Sequence, residues 1–316
     1  MADQLKYRLP NQDIVVKQGA FKHVKFSEVK EGFVVANFDK SKAYRFEEGA
    51  ISLSRLPDQK PLCYSEELYL RKADHFIREI QSQGLSKAIF SRIKSHSSSK
   101  KTDEVFADLV KKYPSAFVYL ISSEHFGTWI GATPEILVSC DFQTGETVAL
   151  AGTKKASDSS EWGEKEKAEQ QFVTDFIEGQ LTRLSLRNIS KNGPKDRIAG
   201  PVKHLETTFQ FSLGDVKPIS IADKLHPTPA VSGLPQKEAI DLINSVEAHD
   251  RSLYTGCIGI VGEQTKLFVN LRCAQYIENE YFLYLGGGFT KDSVAAKEWE
   301  ETENKSRTLL DILENS

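Results

Sequence analysis

The chain has few cysteines, and none is spaced for chemistry. Cys63, Cys140, Cys257 and Cys273 stand far apart, with no CxxC and no metal-ligand spacing. They read as buried thiols of a reducing cytosol rather than as disulfide partners, so a cytoplasmic protein is expected. No run approaches the ~20 consecutive apolar residues that cross a bilayer, and residues 1–13 lack the apolar segment of a secretory leader. Membrane partners are therefore not expected. No tract is dense in Lys or Arg, and the net charge is −3, which excludes a nucleic-acid footprint. Internal repeats and low-complexity segments are missing too. What is present is 40% hydrophobic and 27% charged residues over 316 positions, a globular composition long enough for one large domain or two ordinary ones.

Short apolar runs with strand character recur at residues 32–38, 87–91, 116–122, 128–132, 135–140, 257–261, 267–276 and 281–285. The last two, joined through Glu278-Asn279-Glu280, read as a hairpin. Helical periodicity covers residues 66–83, 103–112, 160–186, 236–244 and 293–313. Strands cluster, then helices, then strands again, without regular βαβ alternation, which predicts an α+β architecture. The breaker-rich segment Arg187–Gly200, with Asn192-Gly193-Pro194, reads as a surface loop between two halves.

Two of the helices carry carboxylate pairs on the line of an otherwise apolar face. Glu166 and Glu169 continue through Val173, Ile177 and Leu184; Glu298 and Glu301 continue through Lys305, Leu309 and Ile312. Carboxylates turned inward need a cation or strong donors, and four of them suggest ligands for a hard divalent ion. The alternative is that both pairs sit at helix starts, solvated and favoured by the dipole. Gly286-Gly287-Gly288 follows a strand and either leaves backbone N–H groups open to a ligand or forms a turn. Residues 225–235, with Pro227, Pro229 and Pro235, fix an extended path that is either a stiff linker or a rigid buried wall. Lys87 at a strand end and Glu135 at a strand start are by number alone solvated charges. His204 fits a core imidazole or a ligand contact equally well. Arg272, mid-strand between apolar residues, needs an anionic partner.

Taken in order, these segments resemble the chorismate-binding enzyme family, which includes isochorismate synthases, salicylate synthases and the large subunits of anthranilate and aminodeoxychorismate synthases. The motifs run KAIFSR at 87–92, GATPEIL at 131–137, LAGT at 150–153, Glu169-Gln170 and HLET at 204–207. They continue with LHPTPAVSGLP at 225–235, EAHDRSLYTG at 247–256, LRC at 271–273, GGG at 286–288 and EWEETENK at 298–305. The resemblance covers residues 86–313. It implies one chorismate-binding domain over residues 1–316, with a shortened N-terminal part at 1–85 and the catalytic motifs at 86–316. The implied fold is two large, mostly antiparallel sheets in a sandwich-like core with helices packed outside. Lys87, where ammonia-using members carry glutamine, together with Ala151, where aminodeoxychorismate synthases carry lysine, is most similar to the isochorismate synthase branch. Salicylate synthases share the lysine.

The resemblance also implies roles. A magnesium ion (Mg²⁺) is expected on Glu169 and Glu301, with Glu166 and Glu298 in support, binding the C1 carboxylate of chorismate. Lys87 is the expected general base toward water attacking C2, and Glu135 the expected acid toward the departing C4 hydroxyl. Arg272, Gly286, Gly287 and Lys305 are expected at the substrate carboxylates; Leu150, Ala151, Gly152, Thr153, His204, Ala230 and Tyr254 are expected around the ring. A lysine base calls for loss of water or positive crowding, and a carboxylic acid calls for burial. The chain is expected to act as a monomer. It departs from the family in Gln170, where histidine is common, and in GGGF, where GAGI is usual.

Overall fold

The computed structural model describes residues 3–50, 56–199 and 202–314. Its strands are β1 (Asp3–Arg8), β2 (Ile14–Val24), β3 (Gly32–Ala36), β4 (Ala43–Glu48), β5 (Lys87–Ser97), β6 (Phe117–Ser123), β7 (Gly127–Thr133) and β8 (Ile136–Asp141). They continue as β9 (Thr144–Lys155), β10 (Arg187–Ala199), β11 (Val202–Ser212), β12 (Gly233–Leu234), β13 (Cys257–Val261), β14 (Gln264–Val269), β15 (Cys273–Ile277) and β16 (Glu280–Phe289). The helices are α1 (Glu66–Gln83), α2 (Thr102–Lys112), α3 (Glu164–Arg183), α4 (Pro218–Leu225), α5 (Gln236–Val246) and α6 (Ala295–Glu314).

Among the described residues, sixteen strands hydrogen-bond into one sheet, in the order β10-β11-β9-β8-β14-β13-β3-β4-β2-β1-β6-β7-β15-β16-β5-β12. Each pairing is antiparallel, as in β8 with β14 and β7 with β15. The architecture is α+β as expected, and the sandwich arises because this single sheet folds back on itself. Strands β7 and β8 are one chain path bent at Thr133–Glu135, and β14 and β15 are its partner path, bent at Asn270–Arg272. Their pairing carries through the bend, with Ala132 N–H donating to Arg272 O at 3.1 Å and Val269 N–H to Glu135 O at 3.0 Å. Two bent strands thus belong to both layers and form a corner of the sandwich. The inner faces meet in an aromatic core in which Phe117 of β6 stacks on Phe268 of β14 with centroids 4.6 Å apart.

Three expectations need correction. Residues 267–276 are not one strand: the path breaks at Asn270–Arg272, and Arg272 has a φ of 51°. The cause is tertiary, since the break serves the corner and not a local breaker. The 187–200 segment is not a loop; through Ala199 it is β10, the sheet's edge strand, with a register shift between Asn192 and Lys195. A Gly-Pro pair is tolerated at such an edge, where the missing N–H costs no ladder bond, and charges along the edge discourage further pairing. The glycine run does not follow its strand but lies inside β16, where Gly286, Gly287 and Gly288 pair with Ser91, Phe90 and Ile89. The β15–β16 hairpin forms as read, with Glu278 and Asn279 at φ 50° and 64° supplying the left-handed turn residues.

Helix α1 has the bounds its periodicity gives, started by Ser65, whose hydroxyl accepts from Leu68 N–H, and stopped by Gly84 in the left-handed region. Helix α3 is shorter than its apolar pattern, running from 164 to 183, and buries Val173, Ile177 and Leu181 against the sheet. Helix α6 buries Leu309, Leu310, Ile312 and Leu313 over β6, β7, β15 and β16. No helix among the described residues is long and apolar enough to cross a membrane.

Candidate active site

The sheet opens beside its own corner. β15 stops pairing with β16 at Cys273 opposite Tyr284, while β16 runs on to Phe289 against β5 alone. One edge of residues 285–289 is therefore left without a strand. Ile89 and Ser91 send their N–H groups away from β16, to Ser232 O and the Glu247 carboxylate. The facing Gly286 correspondingly turns its backbone polar groups toward the open edge, where its carbonyl accepts from Lys305 Nζ at 2.9 Å. Each glycine clears one neighbour. A Cβ on Gly286 would lie 2.7 Å from the Tyr254 hydroxyl, one on Gly288 2.6 Å from Lys87 Cε, and one on Gly287 3.1 Å from Glu298 Oε2. Glycine here is a requirement of close approach rather than of a turn.

Charged side chains from five segments converge on this opening. Lys87, at the start of β5 and 12% exposed at its side chain, lies 3.4 Å from Glu169 of α3. Lys305 of α6 pairs with Glu301 one turn before it. Glu135 and Arg272 come from the corner. Burial pushes the half-buried Glu135 carboxyl up to about 7, against the pull of Arg272, Lys87 and Lys305. Lys305 above all holds the Glu301 carboxyl below its usual range, aided by Lys87 and Arg272. Burial lowers the Arg272 guanidinium, opposed by Tyr254, Glu135 and Glu301. Arg272 feels the Glu135 and Glu301 carboxylates through space, and it sits at a bend and not within a strand. Of the two alternatives, loss of water or positive crowding, Lys87 has the first: its side chain is largely buried, and the charge beside it is the Glu169 carboxylate.

His204 is placed by a bulge. Lys203 pairs with Lys154 and Leu205 with Ala151, so the single residue His204 opposes both Gly152 and Thr153. Gly152 takes φ 65°, and its carbonyl lies 2.9 Å from His204 Nδ1. Burial drives the imidazole down to about 4, so it is neutral. A carbonyl only accepts, so Nδ1 carries the proton and Nε2 is the acceptor. Leu150 and Ala151 lie on β9 beside this bulge; the side chain of Thr153 falls outside the described part. Ala230 precedes β12, which pairs with Lys87 and Ala88. The proline-rich path is thus a wall against β5 and not a linker.

The four glutamates divide. Glu169 and Glu301, each one turn inside its helix, face Lys87. Glu166 and Glu298 lie in the first turns, where the alternative reading put both pairs. Glu166 has its carboxylate near Gly163 at the start of α3. Glu298 accepts from Ser293 Oγ at 2.8 Å and stands behind Gly287, on the opposite face of β16 from Lys87. Among the described residues no three Asp, Glu, His or Cys side chains are gathered as a metal cluster. Glu169 and Glu301 nonetheless offer the donors a hard divalent cation takes: they are anionic oxygen groups from two helices, Glu169 against the Lys87 ammonium and Glu301 against that of Lys305.

Sequence reasoning missed the scaffolding polar groups. Glu247 and Arg251 lie in the 247–256 motif, and they brace β5 and the proline-rich wall. Asn270 holds the bend by accepting from Tyr119 Oη at 2.6 Å and donating to Leu253 O at 2.8 Å. The signal available was an isolated polar residue inside an apolar run.

A family model described as "Chorismate binding enzyme" matches residues 34–314. The isochorismate synthase EntC of Escherichia coli (strain K12) is 28% identical over 217 residues, covering 65% of this chain and 56% of that protein. The isochorismate synthase MenF of Haemophilus influenzae is 26% identical over 283 residues, covering 84% of this chain and 66% of its own length. The chain thus spans between about half and two thirds of these curated relatives. Among solved structures, MenF, the menaquinone-specific isochorismate synthase from Escherichia coli, superposes with a TM-score of 0.81 at 20% identity, over 98% of this chain and 88% of that one. That likeness is one of fold.

Proposed function

The chain belongs to the chorismate-binding enzyme family, and from that premise we propose that it is an isochorismate synthase converting chorismate reversibly to isochorismate. The observation that carries the reading is that Lys87 and Glu135 face one opening near enough for the ammonium to act on the carboxyl, with Glu135 pushed up to about 7 and so half protonated near neutrality. A base and an acid with separated environments are what addition of water at one ring carbon and loss of hydroxyl at another require.

In this reading Glu169 and Glu301 would hold Mg²⁺; Glu166 and Glu298, which the resemblance implies in support, stand one turn earlier on α3 and α6, Glu298 behind Gly287. When bound, the ion neutralises the C1 carboxylate and makes C2 more open to attack. Lys87 Nζ takes a proton from the attacking water as oxygen bonds to C2. The ring double bonds shift, the C4–O bond breaks, and the Glu135 carboxyl gives its proton to the departing hydroxide. One water is consumed and one released. Arg272 and the Gly286 N–H grip the enolpyruvyl carboxylate, and neutral His204 offers Nε2 to a ring hydroxyl. Tyr254, Ala230 and the 150–153 segment line the ring's surroundings.

The test is incubation of purified protein with chorismate, with Mg²⁺ or with EDTA, followed by product separation and a pyruvate assay. Isochorismate at an equilibrium ratio, no pyruvate and loss of turnover under EDTA are expected. Salicylate with stoichiometric pyruvate would transfer the protein to the lyase branch, whose members share the lysine of Lys87. No turnover at any Mg²⁺ concentration would leave a non-catalytic binding protein.

A further inference from the structure

Arg92 lies five residues beyond Lys87 on β5, an odd offset that turns the two side chains to opposite faces. Lys87 approaches Gly288 on the inner face; Arg92 points outward beneath α1 and α6 and is 1% exposed. Its contacts on α6 fall within one turn. Nε donates to Thr302 Oγ1 at 2.8 Å, Nη2 donates to Glu303, and the guanidinium lies 3.7 Å from the Trp299 ring centroid. Lys94, two residues further along the same face, takes the other oxygen of Glu303 at 2.5 Å.

A buried guanidinium is costly, and an apolar side chain of similar volume often serves stability as well or better. What it adds is direction: a planar fork with fixed donor angles tolerates neither rotation nor a slide of its partner. On α6 the stripe it grips, Trp299, Thr302 and Glu303, adjoins the stripe formed by Glu301 and Lys305 at i,i+4. Fixing the first fixes the height and rotation of the second, since a one-residue slide is only ~1.5 Å. The rest of α6 is held by Leu309, Leu310, Ile312 and Leu313, contacts without directional preference, and by donors from Tyr113, Lys100 and Ser98 to the carbonyls of Thr308, Ile312 and Leu313, two turns or more beyond Glu301.

We propose that Arg92 is a positioning residue that locks α6 in register with β5, so that Glu301 and Lys305 meet Lys87 and Gly286 at the opening. It touches no substrate and acts through α6. The proposal deepens the isochorismate synthase reading and rests on it for its catalytic consequence, but the register lock itself is readable without turnover.

The variants are Arg92→Lys, which keeps the charge and loses the fork, and Glu303→Gln, which is partly exposed and so leaves a folded protein if the arginine variant does not fold. Hydrogen–deuterium exchange is followed across α6, Mg²⁺ affinity is measured by titration calorimetry, and kcat and KM for chorismate are compared with the parent protein. Both variants are expected to speed exchange within residues 298–306 while the outer strands stay unchanged. Both should weaken Mg²⁺ binding by roughly 10- to 100-fold, the range for a group that orients a ligand, with turnover partly recovered at high Mg²⁺. Unchanged exchange in α6 overturns the register lock whatever the enzyme does. Faster exchange or a lower melting temperature with unaltered Mg²⁺ affinity and kinetics makes Arg92 merely structural and also overturns the proposal. If the parent protein neither binds Mg²⁺ nor turns over chorismate, the isochorismate synthase reading falls, and the exchange data alone decide the lock.

Discussion

Strand β5 runs through two clusters of buried charge that are built differently. Around Ser91, the Glu247 carboxylate accepts from Ser91 N–H at 2.7 Å and Oγ at 2.8 Å, and from Arg251 Nε at 2.8 Å and Nη2 at 2.7 Å. Arg251 also donates to Val231 O at 3.0 Å and Ile89 O at 2.9 Å. Burial alone would raise the Glu247 carboxyl, but Arg251 and Ser91 hold it below the usual range. Around Lys87, by contrast, the contact to Glu169 is long at 3.4 Å, the charges come from separate segments, and Glu135 is pushed toward neutrality. The first cluster is saturated by its own protein and therefore rigid. The second is unsaturated in geometry, which is what a site must be if a charged ligand is to supply the missing partner.

That contrast can be broken at either end. The largest effect is expected from Lys87→Ala or Glu135→Gln, each lowering turnover by about 10²- to 10⁴-fold while the melting temperature stays close to the parent's; steady-state assays beside thermal melts check this, and a large stability loss would erase the distinction between the clusters. Glu247→Gln should act the other way round. Removing one partner of a saturated buried pair costs about 3–5 kcal/mol, visible in chemical denaturation, with residual activity in whatever fraction stays folded. Gly288→Ala intrudes only on the flexible end of Lys87, so the fold should survive while displacement of the amine lowers kcat by roughly 10- to 100-fold. The smallest effect is with pH. Glu135 must be protonated to act, so above about 7 kcat/KM should fall toward a tenfold loss per pH unit, and Glu135→Gln should abolish that limb. His204, driven down to about 4 by burial, stays neutral and contributes no limb between pH 5 and 9.

The sequence made the helix faces legible because a period of 3.6 survives in one dimension: Val173, Ile177, Leu309 and Ile312 are buried as their spacing requires. Spacing alone does not separate Glu169 from Glu166, or Glu301 from Glu298, a division that only the family resemblance implies, because it depends on where each helix begins relative to the sheet. β10 is not legible in the sequence, since Asn192-Gly193-Pro194 speaks for a turn and only pairing with the neighbouring β11 makes it an edge strand. The bend at Arg272 has no local cause; it exists because β7–β8 bends opposite it. The candidate site residues follow from the motifs that carry the family resemblance, whereas Arg92 and Glu247 are hidden because burial of a charge is a property of the packed chain.

The corner has a further consequence, in the order of events as the chain folds. Thr133 and Val269, which meet there through a 2.6 Å hydrogen bond, are 136 positions apart in sequence. Contacts of that separation must close a long loop before they are rewarded, which slows their formation. Glu135 and Arg272 sit on that closure, so the opening is completed only when the sheet shuts. During refolding, helical signal should return first and any turnover last, making catalytic competence a clock for the final step of assembly.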